Sequence, residues 1–274
     1  MYVISTYPLG GRKLFEFCDE LKKQQMSDIG FELFYDNIPF YSAKYYSEWL
    51  GEYFKGGKLG MHCPMEGCCL LAPKGSLKLR YTLDKHRACF ELAQEIGSSY
   101  VVIHTNSLEP RSAYEASEQK KLLGERISKT AEVAKKYGLK ISVENVGFGY
   151  NNSIVAEQDD FLKLTENSDY DMLLDIGHAH ANGWDIPMLI DTLGSRIAGF
   201  HFHDNDGSSD SHIPIGKGTA KWNEIFAAIK RSTPSADRII EYSPKYCGDI
   251  TNGIRFLQSM LDDILPGISN NTIV

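Results

Sequence analysis

Nine residues of this 274-residue chain have side chains of the types that ligate metals: His62, His104, Glu144, Asp175, His178, His201, Asp210, His212 and Glu241. Six of them close or follow short apolar runs, in KLGMH, YVVIH, KISVE, DMLLD, IAGFH and RIIE. Imidazole nitrogens and carboxylate oxygens are ligands that zinc and manganese accept. An ion so held can polarise a carbonyl or acidify a bound water. The pattern points to a metalloenzyme with a divalent cofactor, Zn2+ or Mn2+.

Asp175-Ile-Gly-His178 is the tightest local signal. The strand ends at Asp175, Gly177 permits a turn, and His178 returns to the same opening. In His201-Phe-His203-Asp204, strand alternation places His201 and His203 on one face. His201 is the one expected to reach the metal, with His203-Asp204 opening the loop. Asp210-Ser-His212 lies in the polar loop DNDGSSDSHIPIGKG, which alone reads as a surface turn. Beside the strand-end ligands it reads as a loop overhanging the pocket. Glu144-Asn145 alone would be a buried polar pair, and Glu241 has Arg238 and Lys245 close in sequence. Several converging carboxylates have no such account, because without cations they repel and raise one another's pKa. His86, in a charged helix, is expected in solvent, His180 at the pocket wall, and Trp184, Trp222 and the tyrosines in core and rim.

Eight β-type runs must position these residues: Tyr2–Ser5, Gly30–Phe34, Lys58–His62, Tyr100–His104, Lys140–Glu144, Met172–Asp175, Ala198–His203 and Arg238–Tyr242. Between them lie amphipathic stretches such as Leu79–Ile96 and Glu115–Tyr137, with apolar residues three and four apart. Gly97 and Gly138 follow two of these, a usual helix stop. Near-continuous apolar strands alternating with helices predict an α/β fold, a parallel sheet closed into a (β/α)8 TIM barrel, as one domain over residues 1–274. An open doubly wound sheet is disfavoured, since no glycine-rich dinucleotide fingerprint follows the first strand. Chemistry in such barrels collects at the C-terminal strand ends. His62, His104, Glu144, Asp175, His201 and Glu241 fall there, with His178, Asp210 and His212 on loops just beyond.

A 42% hydrophobic and 24% charged composition is that of a globular protein. With no apolar run long enough for a bilayer and no basic-then-apolar N-terminus, a cytoplasmic protein without a membrane partner is expected. A net charge of −7 disfavours a broad phosphate-binding surface. The six cysteines show no CxxC pair and are expected reduced. Cys63, Cys68 and Cys69 follow His62 without metal-type spacing.

In VVIHTNS, ISVENVG, LLDIGHAHANGWD, GFHFHDNDGSSDSHIPIGKG and IIEYS the chain resembles, over nearly its whole length, the xylose isomerase-like TIM-barrel superfamily. That superfamily contains sugar phosphate isomerases/epimerases and the endonuclease IV family. The resemblance to the first branch implies one divalent metal on Glu144, Asp175, His201 and Glu241. Resemblance to the second adds His62, His104, His178, Asp210 and His212 and implies a trinuclear zinc site, so one to three ions are expected. The loop YDNIPFYSAKYY lacks the Asn-Gln-Arg-x-Trp-like pattern with which the endonucleases enter DNA, although Phe40 or Tyr41 could act as a wedge. CPMEGCCLLAPKG after His62 also differs from the Asp-Ser-Tyr-type sequence there.

The resemblance implies two chemistries. An isomerase or epimerase of a small-molecule sugar or sugar phosphate would pass a proton through an enediolate, with Glu144 and Glu241 as catalytic acid–base groups and Lys217 or Lys221 as candidates for a phosphate. The alternative is an endonuclease IV-like zinc phosphodiesterase acting on abasic DNA, the one reading with a nucleic-acid partner. Four carboxylates and one divalent ion leave the site at −2; three ions bring it to +2, which suits an anionic substrate.

Overall fold

The computed structural model describes residues 1–10, 12–24, 26, 28–38, 57–105, 113–147, 156–166 and 168–262, with side chains from 117 onward in the segment that starts at 113. Its strands are β1 Tyr2–Ser5, β2 Ile29–Phe34, β3 Leu59–His62, β4 Tyr100–His104, β5 Ile141–Glu144, β6 Asp171–Asp175, β7 Ile197–Phe202 and β8 Asp237–Ile240. Each pairs with the next in parallel and β8 pairs with β1, closing a (β/α)8 TIM barrel. The described helices are α1 Arg12–Lys23, α2 Leu77–Glu95, α3 Ala113–Lys135, α4 Gln158–Lys163, α5 Ile176–Ala181, α6 Ile186–Leu193, α7 Trp222–Ser232 and α8 Ile250–Leu261. None is long and apolar enough to cross a membrane.

Strand alternation divides the core in two. Ile4, Phe31, Leu33, Met61, Val101, Ile103, Val143, Leu174 and Phe200 face outward and pack with the apolar sides of the helices. Val3, Tyr100, Val102, Leu173 and Ile239 point inward and form a separate plug inside the barrel. Burying an apolar side chain stabilises by about 1.5–3 kcal/mol, so both faces favour the apolar runs seen in the sequence. The polar inward residues sit at the strand ends above this plug.

Register brings site residues level with one another. His104 pairs with Glu144 across β4 and β5. Between β6 and β7 the register shifts, from Met172↔Ile197 to Leu173↔Gly199, and this offset sets Asp175 opposite His201. Because β7 stops at Phe202 and β8 at Ile240, His203 and Glu241 each stand at or just past a strand end.

His178 is not on a loop, as expected from the sequence, but on α5, which Asp175 caps by accepting from the His178 amide at 2.6 Å. The role of Gly177 also differs: a Cβ there would sit 2.0 Å from the His203 ring. His86 is buried on α2 rather than solvated, at 5% exposure.

Candidate metal centre

The nine residues converge at the C-terminal mouth of the barrel in three groups. Nε2 of His62 and Nε2 of His104 are 2.9 Å apart, and lie 3.3 and 2.8 Å from Glu144 Oε2. His201 Nδ1 lies 3.1 Å from Glu144 Oε1, 3.6 Å from Asp175 Oδ2 and 3.4 Å from Glu241 Oε2. His178 Nε2 and His212 Nε2 lie 3.1 and 3.3 Å from the two oxygens of Asp210. Within each group, one ligand atom per residue falls within 4.8 Å of every other. Glu144 belongs to the first two groups, one oxygen facing each.

Sequence reasoning set His203 aside, yet it joins the third group. Its ring stacks on His212 at 3.7 Å between centroids, and its Nε2 lies 2.9 Å from Asp175 Oδ1. Its place two residues after His201 was the available signal. Glu32 was missed entirely: this fully buried inward residue of β2 lies 2.9 Å from His201 Nε2. Ser5, at the end of β1, donates to Glu241 Oε1 at 2.8 Å.

These donors suit a divalent ion. Glu144 Oε2 is buried beside two imidazole nitrogens but makes no hydrogen bond. A buried carboxylate oxygen without a hydrogen bond is costly unless a cation shares it, and Zn–N and Zn–O bonds of about 2.0–2.2 Å fit between such atoms. Backbone carbonyls hold three of the imidazoles in place. Nδ1 of His62 donates to Cys63 O at 2.9 Å, that of His178 to Asn145 O at 2.8 Å, and that of His212 to Glu241 O at 3.0 Å. Each bond fixes the tautomer and turns Nε2 into the site.

Asp210 and His212 of the third group ride on a loop that is tied down rather than free. Buried Asp204 accepts from the amides of Asn205, Gly216 and Gly218 at 2.9, 2.9 and 3.0 Å and from Trp222 Nε1 at 2.7 Å. A bridge between Asp204 and Ile213 closes it. His212 holds a φ of 45°, a left-handed conformation uncommon outside glycine.

The mutual raising expected from converging carboxylates is present, as Glu144 acts on Glu241, but the histidines outweigh it. Burial pushes Glu241 up, but His201 and His212 outweigh it and bring it down to about 2. Glu144, Asp175 and Asp210 are likewise held below the usual range, by His104 and His201, by His178 and His203, and by His178 and His212, against burial. In return, His178 and His201 are raised well above the usual value, burial opposing and the surrounding carboxylates prevailing. Burial also opposes the charge on His212, but Asp210 lifts it to about 9. His104 is lowered, because burial outweighs Glu144 there.

His180 Nε2 lies 2.9 Å from Thr219 Oγ1, and Trp184 packs on Phe161. Lys217 and Lys221 are exposed, Lys221 lying 3.7 Å from Glu224. All six cysteines are free, and no candidate metal group among the described residues contains one. Phe40 and Tyr41 lie outside the described residues.

Known proteins share this architecture. A D-tagatose 3-epimerase-like protein superposes with a TM-score of 0.78 at 21% identity, covering 95% of this chain and 97% of its own. The IolI protein, solved with a zinc atom, gives 0.77 at 19% identity over 97% and 99%. In sequence, an uncharacterized protein of Methanocaldococcus jannaschii is 26% identical over 205 residues, 74% of this chain and 78% of that one. Fructoselysine 3-epimerase of Escherichia coli O157:H7 is 24% identical over 156 residues, 55% of this chain and 54% of the epimerase. The profile of one family matches residues 24–260, nearly the whole barrel, and by that match the chain belongs to the xylose isomerase-like TIM barrel family.

Proposed function

We propose that the protein is a divalent-metal-dependent sugar or sugar-phosphate isomerase/epimerase, working by proton transfer next to a carbonyl. The observation that carries this reading is the buried set Glu144, Asp175, His201 and Glu241, with its four ligand atoms mutually within 4.8 Å. The fructoselysine 3-epimerase among the relatives and the epimerase-like and zinc-bound barrels among the structural neighbours support it. Glu144, Asp175, His201 and Glu241 would hold the ion, which would supply Lewis-acid polarisation of the sugar carbonyl and its adjacent hydroxyl. Glu144 and Glu241 reach the centre from β5 and from the end of β8, strands that are not neighbours in the barrel. In this reading they remove and return the proton from opposite sides of the substrate. The Ser5 hydroxyl fixes one oxygen of Glu241 and leaves the other facing the site.

One observation favours the alternative, an endonuclease IV-like phosphodiesterase on abasic DNA. The His62/His104/Glu144 and His178/His203/Asp210/His212 groups give places for further ions, and clustered zinc suits phosphate esters. The deciding experiment assays both activities on the same preparations. Glu144→Gln and Glu241→Gln should each cut exchange of a ketose α-proton with solvent deuterium about a hundredfold or more while the chain stays folded. His62→Ala should reduce exchange far less. Zinc-dependent incision of abasic DNA, lost in His62→Ala, with no exchange on any ketose or ketose phosphate, would overturn the proposal in favour of the alternative.

A further inference from the structure

His201 is oriented differently from the other imidazoles of the centre. Where His62, His178 and His212 are each held through Nδ1 by a backbone carbonyl, His201 turns Nδ1 into the site and bonds through Nε2 to a side chain, Glu32 Oε1, at 2.9 Å. The other oxygen of Glu32 accepts from the Tyr100 hydroxyl at 2.9 Å. Glu32 is completely buried in the middle of the barrel, between the apolar plug and the site, so both its oxygens are satisfied by residues of this chain. Tyr100 is itself wedged: a Cβ on Gly60 would stand 2.2 Å from its ring, so the glycine in β3 is what leaves room for the ring. Packing thus fixes Tyr100, Tyr100 holds Glu32, and Glu32 holds His201.

We propose that Glu32, braced by Tyr100, is the positioning residue of the centre: with metal bound, it keeps the proton of His201 on Nε2 and leaves Nδ1, which faces Glu144, Asp175 and Glu241, as the ligand atom. This inference rests on the metal reading of the four-residue set. The physical reason is that a ligating imidazole must offer one nitrogen without a proton, and the partner of the other nitrogen decides which. A carbonyl can do this through the backbone, but a carboxylate also makes the ring a more basic ligand. Among the described histidines of the centre, His201 alone has such a partner on the nitrogen turned away from the site, and it lies in the four-residue group with three carboxylates. Glu32 touches no candidate ligand atom that faces the site, so its effect passes through His201.

The test compares wild type with Glu32→Gln and Tyr100→Phe, using Zn2+ alone as the probe. Chelator-competition titration should show Zn2+ bound about ten- to a hundredfold more weakly in Glu32→Gln, and a few-fold more weakly in Tyr100→Phe, which keeps the carboxylate and loses only its brace. Nitrogen-15 spectra of histidine-labelled, zinc-loaded wild type should contain one imidazole with metal on Nδ1 and a proton on Nε2, a pattern altered in Glu32→Gln. Melting temperatures of the metal-free proteins separate positioning from folding, since a positioning role predicts weaker metal binding without a matching loss of stability. Binding in Glu32→Gln within twofold of wild type, or a loss that follows the melting temperature across both variants, overturns the inference alone. Wild type that binds no Zn2+ removes the metal reading, and the inference with it.

Discussion

Glu144 offers one oxygen to His62 and His104 and the other to His201, so its carboxylate is shared by two groups of ligands. An ion in the first group would draw on the same carboxylate that the proposed chemistry uses as a base. His178, His201 and His212, raised by the surrounding carboxylates, carry protons that compete with metal. His212, lifted to about 9 by Asp210 against its burial, is protonated at pH 7. A metal accepts only the neutral imidazole, so binding at pH 7 must expel that proton, and affinity must rise as pH climbs toward 9. We therefore expect calorimetry in two buffers of different ionisation enthalpy to show proton release on Zn2+ binding at pH 7. The release should be smaller in His212→Ala. Equal heats in both buffers would count against the protonated state of the metal-free site.

At the scale of the element, α2 supplies a separate test in His86, which lines a cavity of about 520 Å³ against α3 with Leu79, Leu83, Phe90 and Leu122. Its Nδ1 is buried without a hydrogen-bond partner, and burial lowers its pKa to about 4. The unfolded chain takes up this proton near pH 6.5, the folded chain only near 4, so stability is lost as pH falls through that window. The loss amounts to at most about 3 kcal/mol. His86→Leu should remove it, and the variant's advantage in denaturant midpoint should widen from pH 7 to pH 4.5. A difference independent of pH would mean that the histidine is not held neutral. The sequence showed the barrel, and that these nine side chains gather at its mouth, because apolar runs ended in ligand-type side chains, a local signal. It did not show His86 as buried, because the helix around it is charged and the burying partners come from α3. Glu32 was hidden for the opposite reason: it lies inside the run GFELF, where a lone carboxylate in a strand gives no sign of facing His201 across the barrel. His203 depended on where β7 stops, and the level of Asp175 with His201 on the shift between β6 and β7, both features of pairing rather than of residue type.

At the scale of the molecule, the closed barrel collects on one mouth side chains that are as far apart in sequence as His62 and Glu241. The plug of Val3, Tyr100, Val102, Leu173 and Ile239 closes the interior beneath them. In the proposed reading, cations at the four carboxylates of the mouth precede an anionic substrate, in a chain of net charge −7. The proton-transfer chemistry and the role given to Glu32 both depend on that occupancy. The most direct measurement is the number of ions retained per folded chain, by elemental analysis after saturation with Zn2+ or Mn2+ and gel filtration. At least two are expected, falling when His201 or Glu144 is replaced; a value of one would leave only the four-residue site, with His62 and His104 lining the pocket, and a folded chain that retains none would contradict the metal centre altogether.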